Sequence, residues 1–172
     1  MNGPTGAGKS AIAQRLVQER PLALCLDIDA LRVQLGGWRE RNESKQIARS
    51  LGFAMARRHL DCGHDVVLPQ LTVREDVVDD LERLATEAGA SFVEVMLFAD
   101  PGELAARVEL TRTTPAGQHP RDVFTPAELA HQTQYALGAL AEMAARRPNV
   151  VVVDVSGMSL ARASAAVAAA LT

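Results

Sequence analysis

Apolar residues along the chain gather into short runs separated by longer amphipathic stretches. Four runs stand out: Leu22–Leu26 (LALCL), Val66–Leu68 (VVL), Phe92–Phe98 (FVEVMLF) and Val150–Val153 (VVVV). They are near-continuous rather than alternating, which predicts strands covered on both faces, as in a parallel sheet. Between them the apolar period becomes helical. Ile12 and Leu16 mark a first helix, and Ile47, Leu51 and Met55 share one face of a second. Val77, Val78, Leu81, Leu84, Ala85 and Ala88 mark a third. Leu129, Thr133, Leu137 and Leu140 mark a long later helix, and Leu160, Ala163 and Val167 the last.

Helix boundaries are signposted as well. Thr72 with Glu75, Asp100 with Glu103, and Thr125 with Glu128 have capping-box spacing. Pro101 and Pro126 suit the first turn of a helix, and Gly63 and Gly89 sit where a left-handed C-terminal residue is expected. Strand and helix alternate throughout. The pattern predicts one domain over 1–172 with a three-layer α/β fold, a parallel sheet and helices on both faces. One stretch breaks the period: residues 111–124 (TRTTPAGQHPRDVF) contain Pro115, Gly117 and Pro120. It reads as a lid over a site or as a plain surface loop.

Composition narrows the class. At 172 residues the chain can bury a real core, and 48% hydrophobic residues suits a soluble globular protein. The net charge of −3 offers no basic footprint for nucleic acid or an anionic membrane. No signal peptide or bilayer-length apolar run is present, so a cytoplasmic location is expected. Cys25 and Cys62 lack metal-ligand spacing and read as reduced thiols. Basic residues are 16 arginines and two lysines, Lys9 and Lys45.

One of those lysines sits in the segment Gly3-Pro4-Thr5-Gly6-Ala7-Gly8-Lys9-Ser10, which fits G-x-x-x-x-G-K-[ST] at every fixed position. Each residue type has its own task. Glycines let backbone N–H groups turn inward around phosphate oxygens, and the helix beginning near Lys9 adds its positive end. Lys9 is placed to reach the β- and γ-phosphates, and the Ser10 hydroxyl to ligate Mg²⁺. A bound nucleotide follows, with ATP the default. A motor ATPase would end a buried strand in a carboxylate, and His64–Gln70 does not; the N-K-x-D guanine motif of GTPases is absent.

Beyond the run at 22–26, the segment LCLDIDALR places Asp27, Asp29 and Arg32 where ligands bind in open α/β folds. This D-x-D-x-x-R segment resembles that of adenylylsulfate kinases. It is also similar to the corresponding segment of chloramphenicol phosphotransferases, gluconate kinases, zeta toxins and polynucleotide 5′-kinases. These are P-loop kinases of the nucleoside-monophosphate-kinase-like fold, with a five-stranded parallel sheet and a lid. The motifs cover residues 3–10 and 27–32; the order of elements suits the whole chain.

The resemblance implies that Asp29 accepts the proton of the substrate hydroxyl and that Asp27 lies near Mg²⁺ beside Ser10. Arg32 would bind an anionic substrate or orient the base. Helix capping is the competing role for either aspartate. Lid arginines of such kinases neutralise the transferring phosphoryl group, which makes Arg107, Arg112 and Arg121 candidates, Arg112 first. His119 is either a further residue reaching the site or a plain loop histidine. Gln70, at a strand end, is a candidate substrate contact. Asp154 with Ser156-Gly157 is a candidate base-side loop, and Asp100 a helix cap. Trp38, between Gly36-Gly37 and Arg39 and Arg41, either lines the acceptor pocket or packs a satellite cluster.

These readings imply an ATP- and Mg²⁺-dependent kinase with a small-molecule phosphate acceptor. A regulatory or toxin-like nucleotide module acting on a protein is the alternative, and a polynucleotide kinase a weaker one, disfavoured by the acidic charge. The phosphate loop has only Met1 and Asn2 ahead of it, where such loops hang from a central strand. The expectation is about five to eight further upstream residues, mostly Val, Ile or Leu. Otherwise the sheet must show a gap in its middle or borrow a strand.

Overall fold

The computed structural model describes residues 1–111 and 124–171. Its elements alternate as the apolar pattern predicts. In order they are α1 (Lys9–Gln18), β1 (Leu24–Cys25), α2 (Ile28–Val33), α3 (Ser44–Asp61), β2 (Val66–Val67) and α4 (Glu75–Glu87). There follow β3 (Val95–Phe98), α5 (Pro101–Thr111), α6 (Pro126–Arg146), β4 (Val151–Asp154) and α7 (Leu160–Ala169). The first strand is shorter than its apolar run because Leu22 takes φ 60° and leaves extended geometry.

The period of two along β3 builds the layers. Val95 and Leu97 join Ile12 and Leu16 of α1 and Ala163 and Val167 of α7 in one buried cluster. Met96 points the other way, into a cluster with Val78 of α4 and Leu140 and Met143 of α6. Helices therefore cover both faces. All strand pairing is parallel, Leu24↔Val66 to Cys25↔Val67 in β1–β2 and Val95↔Val151 to Phe98↔Asp154 in β3–β4. Val152 is 53% exposed, as suits an edge strand.

In place of one five-stranded sheet, the described residues form two separate pairs. Met1 and Asn2 link them. The Met1 amine donates to Leu68 O at 2.9 Å, and Gln70 N donates to Met1 O at 3.0 Å. On the other side Asn2 N donates to Val95 O at 2.7 Å, and Leu97 N to Asn2 O at 2.9 Å. The carboxamide of Asn2 extends this link by accepting from Thr72 N (3.0 Å) and donating to Thr72 O (2.8 Å). The mid-sheet gap anticipated from the bare loop is thus present, and it opens into a cavity of about 800 Å³. Val66, Leu68, Leu81, Leu84 and Phe92 line its apolar part.

Burial of the Met1 amine pushes its pKa down from 8.0 to about 6, an effect that Glu94 opposes and Lys9 reinforces. The unfolded chain then binds this proton more tightly than the folded one. Stability is therefore full above pH 8 and falls as the pH drops toward 6, by roughly 2 kcal/mol. Thermal melts between pH 6 and 8 should show a midpoint that rises with pH; a midpoint that falls would contradict the buried amine.

Two local expectations need correction. Thr72 does not build a capping box with Glu75: its backbone is held by Asn2, its hydroxyl accepts from Arg74 N, and α4 starts without a side-chain cap. On α3, Ile47, Leu51 and Met55 are 42–48% exposed, while Ala48, Gly52 and Ala56 form the buried face. The reason is close approach to α2. A Cβ on Gly52 would lie 2.9 Å from Ile28 Cγ1, so only a stripe of small residues lets the two helices pack. The Asp100 cap forms only half its box, accepting from Gly102 N and Glu103 N, while Glu103 turns to Gly157 N and Arg107. Thr125 and Glu128 form both arms.

Candidate active site

The phosphate loop runs from the Asn2 link into α1. Gly8 is the N-cap of α1 at φ 85°, and Gly6 has φ 87°. Both are in the left-handed region that favours glycine. Gly6 is also sterically confined, since a Cβ there would lie 2.6 Å from Leu104 O. Such a turn followed by a helix N-terminus gives a concave set of amides suited to phosphate. Lys9 Nζ donates to Pro4 O at 2.9 Å, folded across the loop it would leave to meet a phosphate. Ser10 Oγ donates to Asp27 Oδ2 at 3.3 Å. A hydroxyl and a carboxylate this close are hard oxygen donors of the kind Mg²⁺ takes, so the residues fit that ion.

Asp27 also caps α2. Its Oδ1 accepts from Asp29 N (2.9 Å) and Ala30 N (3.2 Å), and the helix starts at Ile28. Capping therefore falls to Asp27. The carboxylate of Asp29 is left without a hydrogen-bond or ionic partner among the described residues, and it lines the cavity together with Thr5, Arg32 and Gln70. Gln70 follows β2 and Pro69. Its backbone is fixed by Met1 O, and its Oε1 is buried with no hydrogen-bond partner among the described residues. Trp38 is half-buried and also lines the cavity, which favours the pocket reading over a satellite cluster.

Arg107 is engaged on α5, donating to Glu103 Oε2 (2.8 Å) and Val155 O (3.1 Å), where it ties α5 to the end of β4. Arg112, His119 and Arg121, with most of the lid candidate, lie outside the described residues. Asp154 accepts from Ser156 N and Oγ, which holds its carboxyl below the usual range. Ser156 Oγ in turn accepts from Asp100 N, closing that loop onto α5. The Cys25 thiol is pushed up by burial and then by Asp27, as expected of an unreactive cysteine.

The same cavity contains cationic residues that sequence reasoning passed over: Lys45 and Arg49 on α3, and Arg74 at the start of α4. Their i, i+4 spacing on α3 was a usable signal for Lys45 and Arg49, since such residues share a helix face. Ser44, 2% exposed at the start of α3, was likewise missed; its hydroxyl accepts from Arg32 Nε, twelve positions away, and donates to Trp38 O, six positions away.

A G-x-x-x-x-G-K-S loop leading into a helix N-terminus, on a parallel three-layer α/β fold, is the arrangement of the P-loop small-molecule kinase fold. The chain belongs to the family described as the AAA domain, whose model matches residues 1–125. Solved structures agree on the fold. A gluconokinase from Sinorhizobium meliloti 1021 is 22% identical with a TM-score of 0.66, covering 99% of this chain and 88% of its own. The tunicamycin resistance protein of Deinococcus radiodurans is 17% identical with a TM-score of 0.60, covering 99% and 92%. The APS kinase of Mycobacterium tuberculosis is 20% identical with a TM-score of 0.50, covering 81% and 94%. No curated protein sequence matches the chain. Among the described residues, no helix is long and apolar enough to cross a membrane.

Proposed function

We propose that the chain transfers the γ-phosphate of MgATP to a hydroxyl, or a similar acceptor group, of a small molecule. The observation that carries this reading is one cavity lined by Thr5 of the glycine loop together with Asp29, Arg32 and Gln70. Phosphoryl transfer needs positioning, charge neutralisation and a carboxylate near the attacking hydroxyl, and this cavity has a residue for each. Backbone N–H groups within residues 5–10 hold the phosphates, and Lys9 exchanges Pro4 O for a phosphate oxygen. Ser10 and Asp27, in contact through Oγ and Oδ2, would hold Mg²⁺. When bound, the ion neutralises charge on the phosphates.

Asp29 takes the proton of the acceptor hydroxyl as its oxygen bonds to the γ-phosphorus and ADP departs. Arg32 and Gln70 contact the acceptor, and Arg112 supplies charge to the transferring group. Kinases among the structural neighbours, a gluconokinase and an APS kinase, support the same class of reaction. Lys9→Ala tests the loop assignment. Losing a charge-assisted contact to phosphate should weaken MgATP binding about 10- to 100-fold by calorimetry. Unchanged affinity would contradict the assignment.

A further inference from the structure

The cavity is cationic beyond the needs of the nucleotide. Arg32, Arg39, Lys45, Arg49 and Arg74 line it together with two carboxylates, Asp29 and Glu94, and Glu94 is paired with Arg147. Arg74 pairs with Asp76 outside the cavity. Arg32, Lys45 and Arg49 have no carboxylate partner among the described residues. In a chain of net charge −3 with only two lysines, this convergence is a local field of the opposite sign. Lys45 and Arg49 lie one helical turn apart, a like-charged spacing that disfavours a helix unless an anion offsets it.

Arg32 is also pre-set. Its Nε donates to Ser44 Oγ at 3.0 Å, and the buried Ser44 hydroxyl donates to Trp38 O at 2.7 Å. Two guanidinium groups lie over the Trp38 ring, Arg32 Cζ at 5.0 Å and Arg39 Cζ at 4.9 Å from its centroid. A guanidinium fixed through Nε and by stacking keeps its terminal N–H fork for a planar or tetrahedral oxyanion. Gln70 lines the same cavity, and its buried Oε1 has no donor among the described residues. Buried acceptors are nearly always paired, so this one fits a hydroxyl supplied by a ligand.

From this we infer the acceptor's class: a hydroxylated small molecule bearing an oxyanion group (carboxylate, phosphate or sulfate). The oxyanion binds Arg32, Lys45 and Arg49, and one hydroxyl donates to Gln70 Oε1. The inference deepens the kinase reading and rests on it for the identity of the ligand as acceptor.

Matched probe pairs test it: a sugar acid against its alditol, a nucleoside monophosphate against its nucleoside, and a sulfated sugar against the unsulfated one. Each is assayed twice. Equilibrium binding is measured with Mg²⁺ and a non-hydrolysable ATP analogue present, and label transfer is measured from γ-labelled ATP. At least one anionic member should bind about tenfold or more tighter than its neutral counterpart, the size of a charge-assisted contact. That preference should shrink with added salt. Arg49→Gln should raise the KM of that acceptor more than it lowers kcat, leave MgATP affinity unchanged, and be partly rescued by Arg49→Lys. Lys45→Gln, at an exposed position, gives the same direction without risk to the fold.

Equal or tighter binding of the neutral members, or no binding by any anionic member, overturns the inference. The two readings fail separately. Anion-selective binding without label transfer upholds the oxyanion site and removes the kinase reading. Preferred phosphorylation of neutral members upholds the kinase and removes the oxyanion site.

Discussion

Asp29→Asn is expected to lower phosphoryl transfer by about 10²- to 10⁴-fold, the usual contribution of a positioned general base. MgATP affinity should stay within about twofold, because among the described residues the Asp29 side chain makes no hydrogen bond or ion pair to residues 3–10. The argument rests on how α2 begins. Asp27 supplies both capping bonds and contacts Ser10, which leaves the Asp29 carboxylate pointed into the cavity without a structural task. The substitution is nearly isosteric and keeps the Asp29 backbone bond to Asp27, so the fold should tolerate it. Rapid-quench transfer assays and calorimetry on the same variant separate the two effects. Transfer at near wild-type rate would remove Asp29 from the role of base.

The second large effect concerns stability. Joining a strand of five to eight Val, Ile or Leu residues ahead of Met1 is expected to raise stability by about 3 kcal/mol, or ~10 °C in Tm for a chain of this size. The gap between β2 and β3 is held by Met1 and Asn2, and the apolar part of the cavity lies beside it. An added strand would cover Leu81, Leu84 and Phe92 and pair with exposed strand edges. Each buried aliphatic side chain contributes about 1.5–3 kcal/mol, offset by about 1–2 kcal/mol for ordering each residue. It would also replace the buried amine of Met1 by a peptide bond, removing the stability slope between pH 6 and 8. An extended chain that melts no higher, with the same slope, would contradict the strand-slot account.

Much of this molecule was legible because it is written locally. The phosphate loop, the positive-φ glycines Gly63 and Gly89 and the Thr125–Glu128 box depend on residues a few positions apart, and each forms as expected. The three layers follow from apolar runs alternating with helical periods. What could not be read depends on contacts across the chain. Nothing in the period of α3 says whether Ile47–Leu51–Met55 or Ala48–Gly52–Ala56 turns inward; the close approach of Ile28 decides it. Thr72 has capping-box spacing, yet Asn2, seventy positions away, takes its backbone. The cationic wall is the same kind of case. Arg32, Lys45, Arg49 and Gln70 come together only when α2, α3 and the end of β2 meet around one cavity.

The central claim is that this site moves a phosphoryl group onto a small molecule. The most direct measurement follows the label of γ-labelled MgATP in the presence of hydroxylated metabolites and antibiotics. Products are separated by their stability to acid, with Asp29→Asn run in parallel. The account predicts an acid-stable phosphoester on one acceptor, formed by the wild-type chain and reduced at least about 100-fold by Asp29→Asn. Label recovered only as inorganic phosphate, or released only when a protein partner is added, would contradict it.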